Sequence, residues 1–199
     1  MKDKTLIYYN ENSISYYNLT IKVNLVHIYK KITNQIPKNS YILDLGCGSG
    51  RDSLYFKQQG HNVLAIDGSN KMVKLASKLL NENVIEMKFE DFNLNKQFNC
   101  IWACASLLHI KRNYLKDFLL KISANLKEDG IIYMSFKYGN LEYTDENNRY
   151  FNCYTENTIN KLISEISTLK IKEIFKTTDV MPNRFELTWL NIICGKNYI

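Results

Sequence analysis

Two acids, Asp44 and Asp67, each close an apolar run, and between them Gly46, Gly48 and Gly50 fall at alternate positions. Glycine at that spacing lets the backbone turn sharply and lets a ligand approach with no Cβ in the way. A strand ending in an acid, a glycine turn, a helix and a second strand ending in an acid make the adenosine-binding half of a doubly wound sheet. Further along stand residues able to hold or deprotonate a second molecule. His109 follows the apolar run Phe98–Ala103, Lys137 and Tyr138 follow Ile131–Phe136, and Arg149, Arg184 and Trp189 come later. Arginine is the better fork for carboxylate or phosphate, and with aromatic neighbours it suits an anionic or planar substrate.

A dinucleotide turn reads G-x-G-x-x-G, whereas Asp44-Leu-Gly46-Cys-Gly48-Ser-Gly50 reads D-x-G-x-G-x-G. The chain thereby resembles the class I S-adenosylmethionine-dependent methyltransferases. Further motifs are similar to those of small bacterial, tellurite-resistance-like members. They are the Gly48–Ser53 turn with Arg51, Leu107-Leu-His109, Ser135-Phe-Lys-Tyr-Gly139, Arg149-Tyr-Phe-Asn-Cys-Tyr-Thr155 and Trp189-Leu-Asn191.

The resemblance implies an α/β, Rossmann-like, seven-stranded doubly wound sheet, mostly parallel with an antiparallel C-terminal strand. It implies S-adenosyl-L-methionine as methyl donor and S-adenosyl-L-homocysteine as product; a small-molecule acceptor is expected because nothing in the chain reads as an added recognition domain for RNA or protein, the alternative acceptors. Asp44 is expected by the methionyl amino group. Gly46, Cys47, Gly48 and Gly50 are expected along the methionine and ribose, and Asp67 on the ribose hydroxyls. Gly68, Ser69 and Ala103 should border the pocket, and Asp91 and Phe92 should meet adenine. Met72 packs either on adenine or in the core. His109 is either a base or a structural histidine, with Lys137 and Arg149 beside the reaction. Tyr17, Tyr138, Arg184 and Trp189 are the further acceptor candidates, and a tyrosine among Tyr8, Tyr9, Tyr16 and Tyr17 should reach the methionine carboxylate or the substrate.

The elements that must position these residues are legible in outline. Apolar spacing predicts a leading helix over Ser13–Ile36, closed by Pro37, within a capping segment 1–38. Strands are predicted at Tyr41–Leu45, Val63–Ile66, Val84–Met87, Phe98–Ala103 and Ile131–Phe136. Helices are expected from Arg51 to a stop at Gly60, after Ser69, around Leu115–Leu126, and from Thr155 to Ile166. Lys127–Gly130 reads as a turn, Lys137–Tyr154 as a loop or lid, and Leu169–Thr177 and Phe185–Cys194 as final strands joined around Pro182.

The 199 residues, 45% hydrophobic and 23% charged, fit one domain. No apolar run approaches a membrane span, and the start lacks a signal-peptide pattern. Five cysteines without Cys-x-x-Cys spacing point to a reducing cytoplasm, with neither disulfides nor a metal site. The net charge of +6 is scattered. A nucleic-acid acceptor stays open, although the chain has neither the (N/D)-P-P-(Y/F) loop of adenine-N6 enzymes nor a Pro-Cys nucleophile. A non-catalytic binding subunit is the other alternative, against which His109, Lys137, Arg149 and Arg184 count.

Overall fold

The computed structural model describes residues 3–181 and 184–197. Three short helices lead the chain: α1 (Lys4–Glu11), α2 (Ser13–Thr20) and α3 (Val26–Thr33). There follow β1 (Tyr41–Leu45), α4 (Arg51–Gln58), β2 (Asn62–Asp67), α5 (Asn70–Leu80), β3 (Ile85–Glu86) and β4 (Phe98–Ala103). After a 3-10 turn at Leu107–His109 come α6 (Arg112–Ser123), β5 (Leu126–Lys137), β6 (Glu142–Thr144), β7 (Tyr150–Asn152), α7 (Glu156–Ser164), β8 (Leu169–Thr178) and β9 (Thr188–Lys196).

Among the described residues, seven strands form one sheet in the order β3-β2-β1-β4-β5-β9-β8. Pairing is parallel from β3 through β5, and β9 runs antiparallel to both its neighbours. Side chains alternate between two cores, as a sheet covered on both faces requires. On one face Leu43, Ile101, Ile132 and Met134 pack under Leu115, Leu119 and Ile122 of α6 and Ile159 and Ile163 of α7. On the other, Ile42, Trp102 and Tyr133 pack under Ile28, Tyr29 and Ile32 of α3 and Phe56 of α4. Each such buried aliphatic or aromatic chain contributes roughly 1.5–3 kcal/mol.

Several elements differ from expectation. The single leading helix is broken. Asp3 caps α1 through the Thr5 and Leu6 amides, and the Asn24 side chain takes the Val26 amide to start α3. Between α2 and α3, β-branched Ile21 and Val23 are weak helix formers. β5 begins at Leu126 and passes through the expected turn, with an irregular register against β4. Gly130 permits this, since a Cβ there would lie 2.9 Å from the Lys127 carbonyl oxygen and 3.0 Å from that of Phe98. The expected loop over 137–154 contains the β6–β7 hairpin. Arg112 pins it, donating to Asn152 Oδ1 at 3.0 Å and the Cys153 carbonyl at 2.7 Å. The turn expected around Pro182 lies outside the described residues, and β9 starts at Thr188 rather than Phe185.

Candidate active site

The carboxyl ends of β1, β2, β4, β5 and β8 and the start of β9 open into a cleft of about 1650 Å³. Helices α1 and α2 and the β6–β7 hairpin wall it.

At one end the glycine turn has backbone angles φ of +81° at Gly46, +54° at Gly48 and +80° at Gly50. The Gly46 and Cys47 amides both donate to the Ile66 carbonyl at 2.9 Å, folding the turn over β2. A Cβ on Gly46 would lie 2.5 Å from Ser106 Cβ, and one on Gly50 3.1 Å from Ala76 Cβ, so those two are glycine for packing. A Cβ on Gly48 would meet nothing within 4 Å, so this part of the backbone faces open space in the cleft. Asp67 lies alongside and accepts from the Gly48 amide and the Ser69 amide, each at 2.8 Å. Burial raises its pKa against those two donors, and its remaining lone pairs are available to a ligand. A turn open to close approach, a carboxylate with spare acceptor capacity and a bare helix start at Gly50 together fit an adenosine with a methionyl tail.

Beneath the turn lies a buried polar network. Asp52 accepts from Tyr29 Oη at 2.5 Å, Arg51 Nε at 2.5 Å and Trp102 Nε1 at 2.8 Å. Burial pushes Asp52 up, but the Arg51 guanidinium and these donors outweigh it and hold the carboxyl below its ordinary value. Asp44 shows the opposite balance. Burial first, then the Asp52 charge, raises it to about 8, although the Ser53 hydroxyl donates to it at 2.6 Å.

The other end is built from side chains. His109 Nε2 is 2.9 Å from Tyr9 Oη, and Nδ1 is 2.6 Å from the Tyr150 carbonyl oxygen. Burial lowers its pKa to about 4, so the ring is neutral at pH 7. Arg149 donates to Asp145 Oδ2 through Nε at 3.0 Å and Nη2 at 2.7 Å, and lies 4.4 Å from the Tyr8 ring centroid. Lys137 Nζ sits 3.6 Å above the Phe151 ring and donates to Tyr143 Oη at 2.8 Å. Burial, then the Arg149 charge, lowers its pKa. Trp189 Nε1 donates to Asp179 Oδ2 at 3.1 Å, and exposed Arg184 stands at the rim. Tyr133 Oη donates to Asn191 Oδ1 at 2.7 Å on the back wall.

Of the expected residues, Gly46, Cys47, Gly48, Asp67, Gly68, Met72, His109, Lys137, Arg149, Arg184 and Trp189 line the cleft. Asp44, Gly50, Ser69 and Ala103 lie behind its surface and support it. Asp91 is exposed, and Phe92 is buried against Phe118 on the far side of the turn after β3. Phe89 lines the cleft, with Cζ 3.7 Å from where a Gly46 Cβ would stand. Tyr17 does not line the cleft, which Tyr9 and Tyr16 do instead, and Tyr138 is exposed beneath Lys176 Nζ at 4.1 Å. Asp52, Asp145 and Tyr133 carried no signal of their own in the sequence. The seven-residue spacing of Tyr9 and Tyr16 could have marked a shared face, but they sit on separate helices that meet edge to face at 5.0 Å.

A methyltransferase-domain family model matches residues 42–130. Over that stretch the chain is similar to methyltransferases, and in fold it is similar to S-adenosylmethionine-dependent ones. It is 29% identical over 121 residues to a ubiquinone biosynthesis O-methyltransferase of Rickettsia canadensis, covering 57% of this chain and 50% of that enzyme. An uncharacterized methyltransferase of Staphylococcus carnosus is 25% identical over 176 residues, with 83% and 84% covered. The chain spans about half the length of the Rickettsia relatives it matches. In fold it is similar to 1,6-didemethyltoxoflavin-N1-methyltransferase of Burkholderia thailandensis, with a TM-score of 0.74, 19% identity and 96% and 88% of the two chains covered. Among the described residues no helix is long and apolar enough to cross a membrane.

Proposed function

We propose that the protein transfers the methyl group of S-adenosylmethionine to a small-molecule acceptor. The observation that carries this reading is the continuity of the cleft. One cavity of about 1650 Å³ joins the glycine turn and Asp67 to His109, Arg149 and Trp189. Drug-sized ligands occupy roughly 300–1,000 Å³, so the cleft has room for a donor and an acceptor together. The names of the Rickettsia relatives and of the Burkholderia enzyme refer to small acceptors, which supports the same class.

Bound S-adenosylmethionine supplies a methyl group already activated by the positive sulfur. The chain's own residues then orient and exclude water. The Gly46–Gly50 backbone lies against the methionine and ribose, Asp67 accepts from the ribose hydroxyls, and Phe89 and Met72 flank the adenine. The first turn of α4 faces the methionyl carboxylate. Arg149, Arg184 and Lys137 make the acceptor end positive, which favours an anionic or planar acceptor held against Trp189 and Phe151. We further propose that residues 1–199 act as one unit with segment 1–38 closing the cleft. Five free thiols support a reducing, cytoplasmic setting.

The test is a label-partition assay. The protein is incubated with methyl-labelled S-adenosylmethionine and an extract of its host, then fractionated by size. Label in the small-molecule fraction is expected, whereas label in RNA or protein would overturn the acceptor class.

A further inference from the structure

Tyr9 on α1 and His109 after β4 lie far apart in sequence, yet their hydrogen bond is 2.9 Å long. The other ring nitrogen, Nδ1, meets the Tyr150 carbonyl oxygen at 2.6 Å. A carbonyl only accepts, so Nδ1 carries the proton and Nε2 offers its lone pair to the Tyr9 hydroxyl. Tyr9 therefore donates to His109; of the two lone pairs on its oxygen the Arg149 side chain engages one, which leaves one for a third group. Both nitrogens of His109 are engaged, and the Tyr9 and Phe151 rings flank it at 5.5 and 5.1 Å. Tyr9 and His109 both line the cleft.

Helix α1 fixes that hydroxyl from two sides. Thr5 Oγ1 accepts from the Tyr150 amide at 3.1 Å, tying the helix to β7. Asn10 Oδ1 accepts from Ser69 Oγ at 2.9 Å and the Lys71 amide at 3.1 Å, tying it to α5. Leu6 presses on Gly68, where a Cβ would come within 2.9 Å. The helix that covers the cleft thus also carries the group in contact with His109.

Resting on the methyl-transfer reading, we propose that the acceptor is a neutral O–H or N–H group, that Tyr9 is the catalytic residue that takes its proton, and that His109 is the positioning residue behind it. The acceptor's proton passes to Tyr9 Oη while Tyr9's own proton passes to His109 Nε2. The acceptor lone pair bonds to the methyl carbon, and the carbon–sulfur bond leaves its electron pair on sulfur. One positive charge disappears from sulfur and one appears on the imidazole, so the cleft gains no net charge. A thiolate or an oxyanion arrives already deprotonated and has no need of such a relay.

The first readout requires no acceptor. In ¹⁵N NMR of the free protein, with three histidines in the chain, His109 is expected as the neutral Nδ1–H tautomer at pH 7. Tyr9→Phe should move its Nε2 shift and leave the tautomer. A proton on Nε2 at pH 7 overturns the proposal, because the relay then has no destination. The second readout is the product labelled from host extract, identified by mass spectrometry. An O- or N-methyl product is expected, with Tyr9→Phe lowering kcat about 100-fold and leaving KM for S-adenosylmethionine within about threefold. An S-methyl or methylated-oxyanion product, wild-type turnover by Tyr9→Phe, or no labelled small molecule overturns it. Failure to bind S-adenosylhomocysteine would instead sink the methyltransferase reading, with the tautomer result still decided separately.

Discussion

The two ends of the cleft are built in different ways. The glycine-turn end comes from one stretch, Asp44 to Ser69, and it presents backbone and a single carboxylate. The end proposed for the acceptor gathers side chains from α1, the turn after β4, the β6–β7 hairpin and the β8–β9 end. Backbone geometry serves a ligand that does not vary. Side chains on separately tethered segments can be exchanged one by one, which suits an acceptor that differs between relatives. Damage at the first end should therefore cost folding and donor binding together, and damage at the second should cost turnover alone.

The largest expected effect is at the base of the glycine turn. Asp52→Ala removes the partner of half-buried Arg51 and strands buried Tyr29 and Trp102. Breaking such a buried pair costs about 3–5 kcal/mol. In a chain of this size that lowers Tm by roughly 6–20 °C, measurable by thermal denaturation. Gly46→Ala comes next. Its φ of +81° and the 2.5 Å approach to Ser106 combine backbone strain with overpacking. The expected loss is about 2–4 kcal/mol, read as a shifted urea midpoint. If either variant were as stable as wild type, the first region would not be the rigid one.

Arg149→Ala tests the other end. It should leave S-adenosylhomocysteine affinity within about threefold and lower turnover roughly tenfold, about 1.4 kcal/mol, in the label assay. A loss of donor affinity would move Arg149 to the first region and blur the contrast. The last prediction concerns pH dependence. The folded pKa of Asp44, about 8, lies above its unfolded value, so the native state binds the extra proton between roughly pH 4 and 8. Its contribution is full below that window and is lost as pH rises through it. Asp52, whose pKa is lowered, contributes in the opposite sense, above its unfolded pKa and lost in acid. Asp44→Asn keeps a group able to accept from Ser53 and should flatten the decline in stability between pH 4 and 8.

The same contrast explains what could be read from the sequence. Asp44, the three glycines and Asp67 were legible because strand, turn and strand are contiguous and glycine marks the positive-φ positions. Ser69 and Thr155 were legible as caps because capping is local. The acceptor end was only partly so. His109, Lys137, Arg149 and Trp189 could be placed at strand ends, but Tyr17 was chosen where α1 and α2 present Tyr9 and Tyr16. That choice depended on the unseen break between helices. Phe92 was expected at adenine, whereas Phe89 lines the cleft; β3 ends at Glu86, so the turn after it begins earlier than the apolar pattern implies. That Arg149 is already paired with Asp145 depends on a turn whose closure no periodicity signals.

The most direct measurement is a calorimetric titration of S-adenosylhomocysteine into the wild-type protein and into Asp67→Ala. Two hydrogen bonds to a charged acceptor contribute about 3 kcal/mol, so binding should weaken roughly 100-fold in the variant, with a lower Tm as the Gly48 and Ser69 amides lose their acceptor, and circular dichroism checks that it is folded at the titration temperature. Equal affinity in the two proteins, or no binding by the wild type, would contradict the account.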